Sequence, residues 1–212
     1  MKKIDIKVFF QKDKSADCGP VCVQMVLNHF GIMRKIDEIK DGMSYMPGGT
    51  YLYDNGLVIL KEGLDTELIT ANPLIFSQEV RQEMRIKNNL SKYLLKTEEN
   101  NPKLKVPLSL FRKFLTNGGK VKVEIPKILH IKNALDKERL IIALVYGRAL
   151  GKNEGDFHFV IVSGYKKGHL YINNPGLTTR QGWFTESDFL YALHSSTCVD
   201  VDNGSLLSVG SK

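Results

Sequence analysis

No run of 18 apolar residues occurs in the 212-residue chain, so nothing in it has the length and polarity of a membrane-spanning helix. The opening "MKKIDIKVFF" also lacks an uninterrupted apolar stretch, because Asp5 and Lys7 break it, and a secretory signal is not expected. Cysteine is scarce. Three in the chain, an odd number, argue against a disulfide framework and for reduced thiols in a cytosol-like (cytoplasmic) compartment. Repeats, low-complexity tracts and the helix-turn-helix, zinc-finger and RNP-type patterns of nucleic-acid readers are absent as well. The formal net charge of +7 therefore has no recognition motif to accompany it. Basic residues in "MRIKNNLSKYLLK" and "KLKVPLSLFRK" interleave with apolar ones at helical spacing, as on a solvated face over a buried stripe. Neither nucleic acid nor a membrane is expected as a partner. A metal set built from Cys18, Cys22 and His29 matches no common zinc spacing and would draw a ligand from a buried stripe, so no metal or cofactor is expected either.

With 42% hydrophobic and 25% charged residues, the composition is that of a globular chain with a sizeable core. Ile4, Ile6 and Val8 alternate, which predicts a strand over residues 3–10 that delivers Gln11 to a loop. "DCGPVCVQMVLNHFG" has helix punctuation: Asp17 or Cys18 at the cap, Pro20 in the first turn and Gly31 as the stop. Val21, Cys22, Met25, Val26, His29 and Phe30 share a broad stripe, so this helix is expected to be central. A helix over 51–62 and a short strand "DTELIT" follow. Residues 77–97 read as a long amphipathic helix, "NNPKLKVP" as a linker, and 108–116 as another helix. Then the pattern changes to strands: "RLIIALVY", "HFVIVSGY" and "HLYIN", the last two joined by "KKG". Thr185 with Asp188 three residues on predicts a capped final helix, and "TCVDV" an edge strand. The expected fold class is α+β, an N-terminal helical half packed on a C-terminal antiparallel sheet, with the cleft where the two halves meet. A single domain is expected over 1–202, carrying a helical insertion at about 77–120, with 203–212 as a flexible tail.

Residues 16–22 read "ADCGPVC", and the two thiols differ in position. The first turn of a helix favours an anion, because its N–H groups have no intrahelical acceptor, and Cys18 stands there. Cys22 lies one turn further in, on the apolar stripe, and reads as a small buried hydrophobe, as does Cys198 in its predicted strand. A nucleophilic thiol needs a base, and the base needs an orienting partner. His29 is on the buried helix, His130 and His194 sit among ordinary helical neighbours, and His169 follows a turn glycine. His158 opens the strand "HFVIVSGY". Antiparallel pairing brings the first residue of that strand beside the last of "HLYIN", and hence beside Asn174. The Asn174 oxygen is expected to accept the Nδ1 proton, turning Nε2 toward the thiol. Gln11 can add a side-chain N–H to the backbone N–H at Cys18, giving two donors for a developing oxyanion.

Gln11, "DCGPVCVQMVLNHFG", "HFVIVSGY" and "HLYINNPG" together resemble the papain-like cysteine peptidases, and within them the bacteriocin-processing, double-glycine-leader peptidases in stand-alone form. The resemblance runs over about 8–40 and 138–195 and is poor in the middle. It implies a papain-like fold, with Cys18 as nucleophile, His158 as base, Asn174 as orienting residue and Gln11 as oxyanion donor. Asn174 stands where that subfamily usually has Asp, and the interval from Gln11 to Cys18 is about one residue longer than its pattern. The implied activity is a thiol hydrolase acting on a peptide or protein substrate. The same acyl-enzyme could pass to an amine or thiol acceptor, making an acyltransferase, and a peptide-binding module without turnover is the third reading. No exporter segment accompanies the domain, so leader cleavage at an exporter is not carried over.

Overall fold

A computed structural model describes residues 1–13, 15–44, 48–70, 95–96, 99–100, 102–150, 157–176, 181–196 and 204–212. The first strand, β1 (Lys2–Lys3), is much shorter than expected. It pairs with β5 only through Lys2 and Lys3, and Ile4 adds one further bond, its N–H donating to Ser163 O at 2.7 Å. From there to Gln11 the segment has no ladder partner, so its alternating apolar residues mark a chain lying on the core, not a strand in the sheet.

Helix α1 (Cys18–His29) forms where the punctuation places it, and Gly31 ends it at φ 78°, a left-handed turn that side chains resist. Val21, Cys22, Val23, Met25, Val26 and Leu27 are all buried, and each large one contributes about 1.5–3 kcal/mol of transfer free energy. Two further helices, α2 (Ile36–Asp41) and α3 (Leu52–Lys61), pack against it. Next comes β2 (Asp65–Thr70). The span read as a linker is helical: a 3-10 turn at Pro102–Leu104 runs into α4 (Lys105–Thr116). Pro107 fits because the first turn of a helix asks nothing of its missing N–H. Phe111 and Phe114 of α4 are fully buried, with Phe111 stacked on Tyr53 of α3 at 5.3 Å. This part of the expected insertion is thus built into the core; residues 71–94, 97–98 and 101, and with them most of the predicted helix over 77–97, lie outside the described residues.

The remaining elements are β3 (Lys120–Val123), α5 (Ile128–Asp136), β4 (Leu140–Val145), β5 (His158–Lys166), β6 (His169–Asn173), β7 (Gly182–Thr185), α6 (Glu186–His194) and β8 (Leu206–Gly210). As predicted, Thr185 caps α6, its Oγ1 accepting from the Asp188 N–H at 3.0 Å. Among the described residues the strands form one sheet in the order β3-β2-β8-β4-β5-β6-β7, with β1 against β5. All neighbours are antiparallel except β2 and β3, so the sheet is mixed, and it draws two strands from the half expected to be helical. The largest correction concerns the tail. Residues 206–210 are a fully buried strand between β2 and β4, joining the two halves of the sheet. "TCVDV" (197–201), including Cys198, lies outside the described residues.

Candidate active site

Cys18 is the first residue of α1 and is half-buried, whereas Cys22 is wholly buried. Burial, and secondarily the neighbouring Cys18, push the Cys22 thiol well up, so it stays protonated and inert. The start of α1 is left uncapped. Asp17 makes no side-chain bond to the helix N–H groups; its carboxylate pairs instead with Lys40 of α2 at 2.8 Å. The first intrahelical bond runs from Val21 N–H to Asp17 O, and Pro20 has no N–H, so Cys18 and Gly19 carry the donors that the helix itself does not use. Gly19 is there for room: a Cβ on it would lie 2.2 Å from Thr50 Oγ1 and 3.1 Å from the Asn55 amide. That close approach seats the start of α1 against the first turn of α3.

Helix α1 packs on β5, the strand that begins with His158. The register Ile161↔Asn173, continued by one residue, sets Asn174 opposite Val160 and one diagonal step from His158. The two side chains meet: His158 Nε2 and Asn174 Oδ1 are 2.6 Å apart, both residues buried. This is the expected pair with the other ring nitrogen. Nε2, not Nδ1, faces Asn174, because a partner displaced diagonally across the hairpin is reached by the nitrogen further from the backbone. Asn174 Oδ1 also accepts from the Gly176 N–H at 2.7 Å, while Asn174 Nδ2 is buried without a hydrogen-bond partner among the described residues.

Gln11 is tied to the same turn, its backbone N–H donating to Pro175 O at 2.9 Å. Its side-chain amide donates to Ser15 O at 3.3 Å, inside the loop that leads to Cys18, and its Oε1 is buried without a hydrogen-bond partner among the described residues. The structure therefore brings Gln11 beside the turn that holds Asn174, with one of its two amide hydrogens engaged by the loop that leads to Cys18. The other histidines have structural places. His29 ends α1 against Phe30, His130 Nδ1 accepts from the Lys127 N–H at 3.0 Å at the start of α5, His169 bonds Lys167 O, and His194 is exposed at the end of α6. Sequence reasoning missed Gly176 and Pro175, whose backbone groups hold Asn174 and Gln11; the only signal was their position after Asn174. No group of three or more His, Cys, Asp or Glu that could hold a metal ion occurs among the described residues.

A second concavity, of about 360 Å³, opens over β2, β3 and β8 beside α5. Its charges largely answer one another: Asp65 takes Lys120 on one oxygen at 2.7 Å and Arg139 on the other at 2.8 Å. Burial alone would raise the Asp65 carboxyl, but those two cations hold it below the usual range.

Residues 6–106 match the Peptidase C39 family. No curated protein matches the sequence significantly. Three solved structures are similar over almost their whole lengths. The peptidase domain of Streptococcus ComA, a bifunctional ABC transporter involved in quorum sensing, gives a TM-score of 0.51 at 14% identity, covering 97% of this chain and 98% of that one. A double-glycine-motif protease from an AMS/PCAT transporter, solved with its leader peptide, gives 0.51 at 12% identity over 100% and 95%. A C39-like peptidase from Bacillus anthracis gives 0.52 at 13% identity over 100% and 98%. The match over residues 6–106, which carry Cys18, and the shared fold over the full length agree: the chain is similar to the C39 cysteine peptidases and has their papain-like α+β fold.

Proposed function

We propose that the protein cleaves a peptide through a Cys18 acyl-enzyme, with His158 as base, Asn174 as its orienting partner and Gln11 with the start of α1 as oxyanion donors. The observation that carries this reading is the buried 2.6 Å bond between His158 Nε2 and Asn174 Oδ1, at the end of the strand on which α1 packs. Cys18 Sγ attacks the carbonyl carbon as its proton passes to His158 Nδ1, and the carbonyl becomes an oxyanion facing the unused N–H groups of Cys18 and Gly19. Collapse breaks the C–N bond, and His158 returns the proton to the leaving amine. Water, deprotonated by the same nitrogen, then releases the acid and restores the thiol. Catalysis by a thiolate suits a reducing compartment such as the cytoplasm, since Cys18 has no disulfide partner among the described residues. A peptide is the favoured substrate because the C39-fold protease solved with a leader peptide has the same architecture over nearly its whole length.

The test is intact-mass analysis after a limiting dose of iodoacetamide near neutral pH, followed by profiling on a peptide library. One adduct, mapping to Cys18, and cleavage that disappears in Cys18→Ala and His158→Ala are expected. An adduct on Cys22 with Cys18 unreacted in folded protein would sink the assignment. Free acid as product marks hydrolysis, whereas a conjugate with an added amine marks acyl transfer.

A further inference from the structure

Asn174 is a carboxamide, and a carboxamide can face its partner in two ways where a carboxylate offers equivalent oxygens. With the oxygen toward His158, the ring must carry its proton on Nε2, and Nδ1 keeps the lone pair that takes the thiol proton. With the NH2 toward His158, Nε2 must accept, the proton moves to Nδ1, and the neutral ring can no longer act as the base. The His158–Asn174 contact by itself does not distinguish the two, because each orientation pairs with one tautomer. A third group decides. The Gly176 N–H lies 2.7 Å from the Asn174 amide atom that meets His158, and a backbone N–H can only donate, so that atom must be the oxygen. On its other side Asn174 Nδ2 has no hydrogen-bond partner among the described residues to hold the amide either way round.

We propose that the Gly176 backbone N–H is a positioning group that locks the Asn174 amide and thereby sets the productive Nε2–H tautomer of His158. The proposal rests on the reading of Cys18 and His158 as nucleophile and base. It also states what an Asn at this place requires: an orienting Asp could dispense with the Gly176 donor, because either carboxylate oxygen accepts. The residue between them belongs to the same device, since Pro175 O holds the Gln11 N–H at 2.9 Å and ties the oxyanion loop to this turn.

Gly176→Pro removes the N–H, and its effect is to be compared in the parent and in an Asn174→Asp background. In the parent, kcat should fall about 10-fold or more with KM little changed; in the Asp background the same substitution should cost less than about 3-fold. Equal losses in both backgrounds, or no loss in the parent, would overturn the proposal. Should the proline variants fail to fold, 15N-histidine NMR of the Cys18→Ala protein, at a pH where the imidazole is neutral, reads the tautomer directly. His158 protonated on Nε2 is the expected result, and protonation on Nδ1 overturns the proposal. Residual cleavage by Cys18→Ala would instead defeat the underlying functional reading and leave the tautomer result standing.

Discussion

At the β2–β8 end of the sheet, Arg139 commits its donors to Asp65 Oδ2, Asp65 O, Ser208 Oγ and Ser208 O, and Lys120 takes the remaining Asp65 oxygen. At the β5–β6 end, Asn174 and Gln11 each leave one buried polar atom without a partner among the described residues, while a single oxygen of Asn174 serves two donors. The Arg139–Asp65 cluster and the Asn174–Gln11 turn have opposite habits. Saturated polar groups fix a fold, because every donor has its acceptor and nothing is gained by moving. Under-used polar groups have a desolvation cost without a compensating bond, and a sheet tolerates them where something other than stability selects the residues.

Asn174→Leu should produce the largest effect at the sparse end: kcat down about 100-fold with KM little changed, because the ring loses its acceptor and rotates. Steady-state kinetics decide it, and a Leu variant as active as the parent would reduce Asn174 to the residue that ends a strand. Arg139→Ala should do the reverse at the saturated end, costing about 2–4 kcal/mol in denaturant unfolding while kcat per folded molecule stays at the parent value. Loss of turnover without loss of stability there would erase the contrast. Cys22→Ala, inside the helix that carries the thiol, should cost about 1 kcal/mol and leave the alkylation rate of Cys18 unchanged, since a buried thiol acts as packing.

The smallest effect is on acid stability. The Asp65 carboxyl is held below its unfolded value, so its contribution is present above the ordinary carboxylate range and is lost as pH falls through its folded value. Asp65→Asn should therefore flatten the acid limb of a plot of unfolding free energy against pH, at low salt more than at high salt. An unchanged limb would mean that Lys120 and Arg139 do no more than decorate the surface.

Helix α1 was legible because its signals are local: Pro20 inside the first turn, Gly31 past the last, and an apolar stripe between. The His158–Asn174 pair was legible for a related reason, since a hairpin closed by "KKG" determines which residues meet at its open end. The ring nitrogen that makes the bond was not, because that depends on a diagonal offset of two residues. Residues 206–210 read as a tail because five residues beside Gly and Ser carry no period, and their partners in β2 and β4 lie far away in sequence. The parallel pairing of β2 with β3 was hidden by the same distance. Ile6 and Val8 suggested a strand through their alternation, yet alternation only says that one side is buried, and a chain laid across a core satisfies it without a ladder.

The place of β8 bears on how the molecule is made. On a growing chain, Gln11, Cys18, His158 and Asn174 are all synthesised before residues 206–210, yet until that strand arrives β2 and β4 present two open hydrogen-bonding edges and no continuous sheet. Closing that gap needs contacts across more than half the sequence, the slow kind of folding step. A nascent chain is thus exposed to sticky mispairing until residues 206–210 emerge, when a chaperone that shields edges would help most.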